Sequence, residues 1–317
     1  MPHPSPKRSS IQDLISTARA LYRSEPEAAF GIASRAYSEA SGIEWKLGSA
    51  ESLLTMSAAQ HVLSNYAKAS KYARQALELL KVARNPVGVG DAHHRLAGLE
   101  LEMGNYRAAL RHATEALKIR REKNDHARAA DTLAILTSLL LRQAEFAKAL
   151  EYALEGLDAA QQSEAPRTLA VALTNLGLIY GDIGYPELSR TYLGKSLTNF
   201  IAARDKAGEA GAHLRIGISC AGSGSRKDAE QHLRKALVMY ERLQERLGQV
   251  RALASLSELT SKKNKPQAIT QLESALTLAR QINHPETLAD VLIRLSRIYQ
   301  EENKIAKDLL REALEIT

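Results

Sequence analysis

Apolar and small residues return along this chain at helical spacing, in blocks that repeat about every 40 residues. One column of small side chains runs Ala29, Ala69, Ala109, Ala149, Ser189, Ala229, Ala268 and Ala306. A second runs Ser57, Ala97, Thr137, Gly177, Gly217, Ser257 and Ser296, each preceded by Met56, Leu96, Leu136, Leu176, Ile216, Leu256 or Leu295. Self-similarity at a period of this size marks a solenoid, in which each unit buries its apolar face only against its neighbours. Within a block the pattern predicts helix, tight turn, helix, looser turn. In the third block Ala92, Leu96, Ala97, Leu99 and Met103 predict a first helix over about 87–103, stopped by Gly104-Asn105. Tyr106, Ala109, Leu110, Ala113, Ala116, Leu117 and Ile119 then form the stripe of a second helix. Pro86, Pro166 and Pro285 stand where a helix begins, because the missing N–H costs nothing there. Asn65, Asn105, Asp125 and Ser225 stand at N-cap positions. No stretch alternates with period two, so the fold is all-α.

The small columns have a physical reason. Where two antiparallel helices cross closely, a side chain larger than Ala pushes the axes apart. Ala109→Leu is therefore expected to cost roughly 1–3 kcal/mol by overpacking. Leu77, Leu117, Leu157, Leu197, Leu237, Leu276 and Leu314 are expected to fill the space between successive hairpins. About eight units result, near 11–43, 44–85, 86–125, 126–165, 166–205, 206–245, 246–284 and 285–317, forming a single solenoid. Residues 1–10, with three prolines and no apolar periodicity, are expected to form a disordered tail.

Composition narrows the picture further. Aromatic residues make up only 5% of the 317, so the core must be built from Ala, Leu, Ile and Val. The net charge of +7 is spread evenly, 21 of the 43 basic residues falling in the first 160. A nucleic-acid module concentrates its charge into a stripe, so the even spread argues against that partner. Lys262, Lys263 and Lys265 read as a solvated turn, and Glu100 and Glu102 as solvated surface. The single cysteine, Cys220, excludes an internal disulfide and a Cys-based zinc site. No apolar run approaches the ~20 residues of a membrane span, and no signal peptide is recognisable, so a cytoplasmic protein is expected. His93 and His94 are adjacent and point about 100° apart on a helix, and no His-x-x-x-His pair exists. Neither a metal nor a cofactor is expected. Without a phosphate loop, nucleophile elbow or facing carboxylate pair, an enzyme is not expected either.

Leu176-Gly177-Leu178-Ile179-Tyr180, Gly184, Ser189, Ser196 and Leu197 resemble a tetratricopeptide repeat, as do Leu96-Ala97, Gly104, Tyr106, Ala109, Ala116 and Leu117. The resemblance extends over residues 11–317. Its period of 40 rather than the family's usual 34 is similar to repeats in cell-polarity scaffolds and bacterial signalling and sensor proteins. The resemblance implies a right-handed α-solenoid whose first helices line a groove for an extended peptide or a partner's helix. It brings no catalytic residues. The family's clamp for a C-terminal carboxylate is not matched, since Ala134, Ser138 and Gly211 occupy its places.

If the small column faces the second helix, the groove positions follow by counting. They include Asp91, His94 and Arg95, then Asp131, then Thr174 and Asn175, then Arg215, Arg251, Arg294 and Arg297. Arg95, Asn175, Arg215 and Arg294 share one column. An Asn amide both donates to and accepts from a peptide backbone, and Arg grips a carboxylate with two parallel bonds. The expected partner is a protein or peptide segment, extended and partly acidic. A regulatory solenoid acting on a signalling enzyme or transcription factor is the second reading, and RNA binding the third. Ile305, Ala306, Leu309, Leu310, Ala313 and Leu314 give the last helix a two-sided apolar stripe where a cap would be polar. That raises two further expectations: self-association through the last repeat, or a longer protein of which this is the sensor.

Overall fold

The computed structural model describes residues 6–282, 284–300 and 303–316, apart from the side chain of Asn303. Two compact units are present, Met1–Ser163 and Glu164–Thr317. The first holds α1 (Pro6–Leu21), α2 (Pro26–Gly42), α3 (Lys46–Val62), α4 (Tyr66–Val82), α5 (Pro86–Glu102), α6 (Tyr106–Glu122), α7 (His126–Arg142) and α8 (Phe146–Gln162). The second holds α9 (Pro166–Asp182), α10 (Pro186–Ala202), α11 (Lys206–Gly222), α12 (Arg226–Arg242), α13 (Arg246–Ser261), α14 (Lys265–Gln281), α15 (Pro285–Ile298) and α16 (Asn303–Ile316). All the regular structure of the described residues is helical, and the chain is an all-α solenoid of helix hairpins. Inside each unit a first helix packs on its own second helix, on the second helix before it, and on the next first helix.

Pro86, Pro166 and Pro285 open α5, α9 and α15 as the sequence indicates. Between α2 and α13 the looser turn does not appear. From residue 44 to residue 244 a left-handed residue recurs every 20 positions, with φ between +51° and +88°. Each joint from α2–α3 to α12–α13 is thus the same short turn, whether it lies within a repeat or between repeats. At the third hairpin Asn105 N–H donates to the Glu100 carbonyl at 2.8 Å and Gly104 N–H to the Leu101 carbonyl at 3.1 Å. This pairing closes the last helical turn around a left-handed residue. Only Gly104, Gly184 and Gly224 meet it with glycine; the other eight such residues carry a side chain. Asp125 caps α7 through its carboxylate, whereas Asn65 and Asn105 turn their amides back to Gln60 and Glu100 of the preceding helix.

The small columns are buried except at Ala306, which is half-buried. Ala29, Ala69, Ala109, Ala149, Ser189, Ala229 and Ala268 are all sealed from solvent, and Ser57 donates across its hairpin to the Ala69 carbonyl at 2.8 Å. At Gly177 and Gly217 a Cβ would lie 2.7 Å from Leu193 and Leu233, so glycine alone permits that approach. Where Leu193 and Leu233 stand in α10 and α12, units two to four carry Ala73, Ala113 and Ala153. The close crossing is therefore kept by trading volume between the two helices.

Three expectations are corrected. Residues 6–10 form the first turns of α1 rather than a tail; residues 1–5 lie outside the described residues. Leu314 does not fill an inter-hairpin gap but is 77% exposed, with Ile305 and Leu310 also exposed, because among the described helices α16 packs on α15 alone. Glu100 is buried rather than solvated: it accepts from Arg74 at 2.7 Å, Asn105 at 2.9 Å and Ser70 at 3.3 Å. These donors hold its carboxyl below the usual range against the opposing effect of burial.

Candidate functional site

Arg95 in α5 and Arg215 in α11 are 120 residues apart, three repeats, and occupy the same place on their helices. Both are half-buried, and burial pushes each guanidinium below its ordinary range. Neither has a carboxylate within ion-pair distance among the described residues. Tyr22, Arg23 and Asp91 are the charged and phenolic groups felt by Arg95, and Arg251 and Tyr240 those felt by Arg215. A cation that is desolvated yet unpaired is costly, and an incoming anion removes that cost.

Arg95 lines a cavity of about 350 Å³ in the first unit together with Arg19, Tyr22, Asp91, His94 and Arg128. Two of the other cations there are already paired, Arg19 with Glu51 at 3.2 Å and Arg128 with Asp125 at 3.1 Å. His94 is fixed from behind by Arg120, whose side chain is 5% exposed. One terminal nitrogen of Arg120 donates to His94 Nδ1 at 3.1 Å, to the Arg128 carbonyl at 2.5 Å and to the Thr132 hydroxyl. The other reaches Asp91 at 3.4 Å. A guanidinium only donates, so His94 Nδ1 accepts and its ring proton sits on Nε2. Burial, with Arg120 and Arg95 beside it, holds His94 well below the usual histidine range, and the ring is neutral at pH 7.

The remaining predicted residues divide sharply. Asp91 and Asp131 are half-buried in the Arg120 neighbourhood. Asn175 is 7% exposed. Thr174 is turned into the α9–α10 crossing, where its hydroxyl lies 2.7 Å from the Ser196 hydroxyl and donates to the Ala170 carbonyl at 2.9 Å. It belongs to the hairpin and not to an open wall. Arg251 and Arg297 are exposed. Arg294 is neutralised by Asp290 at 2.8 Å and Glu258 at 3.0 Å, which raise its guanidinium against burial. Counting from the small column did not find Arg19, Tyr22 or Arg128: the first two lie at the end of α1 and just past it, and Arg128 lies in the first turn of α7, ahead of the positions counted. A second cavity, of about 340 Å³, is lined by Arg226, Lys227, Glu230, Arg234 and Lys263 among others, and Lys262 and Lys263 are exposed in the turn that follows α13, as expected.

Among the described residues no group of three or more His, Cys, Asp or Glu side chains could hold a metal ion. No described helix is long and apolar enough to cross a membrane.

Residues 88–162 match the tetratricopeptide repeat family, and 135–196 with 227–302 match anaphase-promoting complex subunit 5. No curated protein sequence matches the chain. Among solved structures, a Rap protein complexed with competence and sporulation factor is 12% identical and has a TM-score of 0.72, the match covering 98% of both chains. The Rap conjugation gene regulator of plasmid pLS20, in complex with the Phr* peptide, is 13% identical at a TM-score of 0.72 and covers 97% of this chain and 94% of its own. The apo quorum sensor NprR from B. thuringiensis is 12% identical at a TM-score of 0.69, covering 96% and 87%. The match to the tetratricopeptide repeat family is confined to residues 88–162, and at these identities the likeness to solved structures shows the fold alone.

Proposed function

We propose that this tetratricopeptide-repeat chain is a protein-interaction sensor that takes an extended, partly acidic peptide or protein segment on its first-helix walls. The observation that carries the reading is the recurrence, three repeats apart, of a desolvated guanidinium with no carboxylate of its own, at Arg95 and at Arg215. In the first unit the cavity presents Arg95 and the His94 Nε2–H as donors beside Asp91. Acidic side chains or a terminal carboxylate satisfy those donors; within the second unit, Asn175 and Arg215 offer an amide and a guanidinium to a segment of the same kind. Two of the neighbours above were solved with a peptide or signalling factor bound, which agrees with this assignment. In this reading the chain has no catalytic step of its own, and the occupant changes its hold on a signalling enzyme or transcription factor. Self-association through the exposed Ile305, Leu310 and Leu314 is a separate part of the proposal, read out as a concentration-dependent mass in sedimentation.

Fluorescence anisotropy with a library of short peptides tests the main reading. Acidic members should bind, and Arg95→Gln and Arg215→Gln should each weaken them at least tenfold, with Asn175→Ala weakening neutral and acidic peptides alike. Equal binding of acidic, neutral and basic peptides, untouched by these substitutions, refutes it. Salt-sensitive retention on RNA that Arg215→Gln abolishes would instead establish the nucleic-acid reading.

A further inference from the structure

Every hairpin before the sixth begins its second helix with a ring: Pro26, Tyr66, Tyr106, Phe146 and Pro186 open α2, α4, α6, α8 and α10. The sixth opens α12 with Arg226. Six residues past the small column of the first helix that follows stand Leu63, Met103, Gln143, Ile183 and Ser223, all uncharged, and in the last of these places Lys263. Two cations thus replace a neutral pair at one joint, and there, between α12 and α13, lies the cavity of about 340 Å³. Lys227 and Arg234 add two more cations to its wall, and Leu256 and Leu259 an apolar side. Arg234 is spent on Glu230, the acid of this lining, with bonds of 2.9 and 2.7 Å to one carboxylate oxygen. Arg226 is half-buried and donates to the Leu259 carbonyl, which ties it to α13 without neutralising it. Arg226, Lys227 and Lys263 have no carboxylate within ion-pair distance among the described residues. His232 of α12 is turned elsewhere, its Nδ1 2.8 Å from that of His213 across the hairpin, as His93 and His112 are across the third.

We propose that this cavity is a site for a phosphoryl group, carried by a small phosphate ester or as free phosphate, and held by Arg226, Lys227 and Lys263. Three unpaired cations exceed what the single charge of a carboxylate can neutralise. A phosphomonoester brings about −1.5 to −2 at pH 7 and three acceptor oxygens, enough to engage all three together. A guanidinium carries five N–H donors, so Arg226 keeps others for the anion while it holds the Leu259 carbonyl. The two lysines, exposed at the rim, act as point charges that adjust to the oxygens. Glu230 does not repel the group, because Arg234 already neutralises it. Ligand cavities run from about 300 to 1,000 Å³. This one is at the small end, which suits the phosphoryl group with a compact body lying on Leu256 and Leu259 rather than a length of polymer. The lining residues of α13 sit roughly 120° round the helix from Arg251, Ser255 and Glu258, so the site is separate from the first-helix wall proposed for a peptide.

The test titrates the unmodified chain, Arg226→Tyr, and Lys227→Gln with Lys263→Gln by calorimetry, using AMP, inorganic phosphate, adenosine and succinate as probes. Tyrosine is the residue that Tyr66 and Tyr106 already place at the start of a second helix, so Arg226→Tyr follows the repeat's own pattern. AMP is expected to bind at least tenfold more weakly to each variant than to the unmodified chain, and adenosine and succinate to give no comparable heat. AMP binding more tightly than phosphate assigns the site to an ester, and equal binding assigns it to the bare anion; both support the proposal. No heat from either phosphate probe at millimolar concentration, adenosine or succinate binding as AMP does, or AMP affinity untouched in both variants overturns it. A single-stranded oligonucleotide that binds far more tightly than AMP and is lost in the same variants overturns it in favour of nucleic acid. Arg95→Gln and Arg215→Gln should leave AMP binding unchanged; a loss there moves the anion to those residues and is equally fatal. Spectra of the unmodified chain decide the matter even if a variant misfolds: AMP must shift the amide signals of residues 226–230 and 259–263 first, and shifts that begin elsewhere sink the assignment.

Discussion

The third and sixth hairpins, α5–α6 and α11–α12, both carry Ala-His-x-Arg and a histidine couple, yet they close the end of their second helix by opposite means. In α6 the closing residue is Arg120, surrounded by Asp91, His94, Arg128 and Thr132. In α12 it is Tyr240, and the four corresponding places hold Gly211, Leu214, Gly248 and Ala252. A Cβ on Gly248 would lie 2.4 Å from the Tyr240 ring, and one on Gly211 3.6 Å from its hydroxyl. Burial pushes that phenol up to about 12. The five positions differ as a set. A buried guanidinium requires acceptors from three directions, whereas a buried ring requires that its neighbours give up side chain. Two other repeats follow the second rule, with Leu80 over Gly88 and Phe200 over Gly208, while Ala40 and Ala160 stand at the same place elsewhere. Arg120 is the exception in its column, and it stands behind the residue that faces the first unit's cavity.

Substitutions can break this comparison. The largest effect is expected from Tyr240→Ala, which leaves a cavity beside two glycines and should cost about 3–5 kcal/mol in urea unfolding. Next is Gly217→Ala, which gives the sixth crossing the side chain Ala97 already has in the third. It should cost roughly 1–3 kcal/mol, and adding Leu233→Ala should recover much of that, since Ala113 stands there in the third hairpin. Acid should separate the hairpins in the other direction. His112 and His213 are lowered from 6.5 to about 4, so the stability they give is complete above pH 6.5 and is lost as pH falls towards 4. His94 is lowered as well and has no counterpart in the sixth hairpin, so amide exchange at pH 5 should rise more in α5 than in α11. His94→Leu should erase that difference. Smallest, and sharpening what the hairpins share, Gly104→Ala and Gly224→Ala should each cost about 1 kcal/mol, equally, because both residues are left-handed in the same turn. Unequal losses in thermal unfolding would show that the two joints are not alike.

Much of this architecture was legible in the chain. The columns through Ala109 and Ala97 give the hairpin, and prolines at helix starts give its joints. The turns between repeats were not legible as equals of those within them, because Glu164, Arg204 and Gln244 carry no local mark of a left-handed backbone. Counting along first helices found Arg95 and Arg215 but could not tell them from Arg294, whose neutralising Glu258 lies on another helix. It also misplaced Thr174, since a hydroxyl that serves the hairpin and one that serves a ligand have the same period. What a helix pattern omits is the identity of the facing residue, and that decides whether a charge is spare or spent.

One consequence of the uniform joints concerns history rather than force. From α1 to α12 each helix with its joint occupies 20 residues, so two make a segment whose ends are interchangeable with those of its neighbours in that stretch. Copying or excising such a cassette leaves every remaining splice point unchanged, and a molecule of this kind can be lengthened or shortened without inventing a new connection.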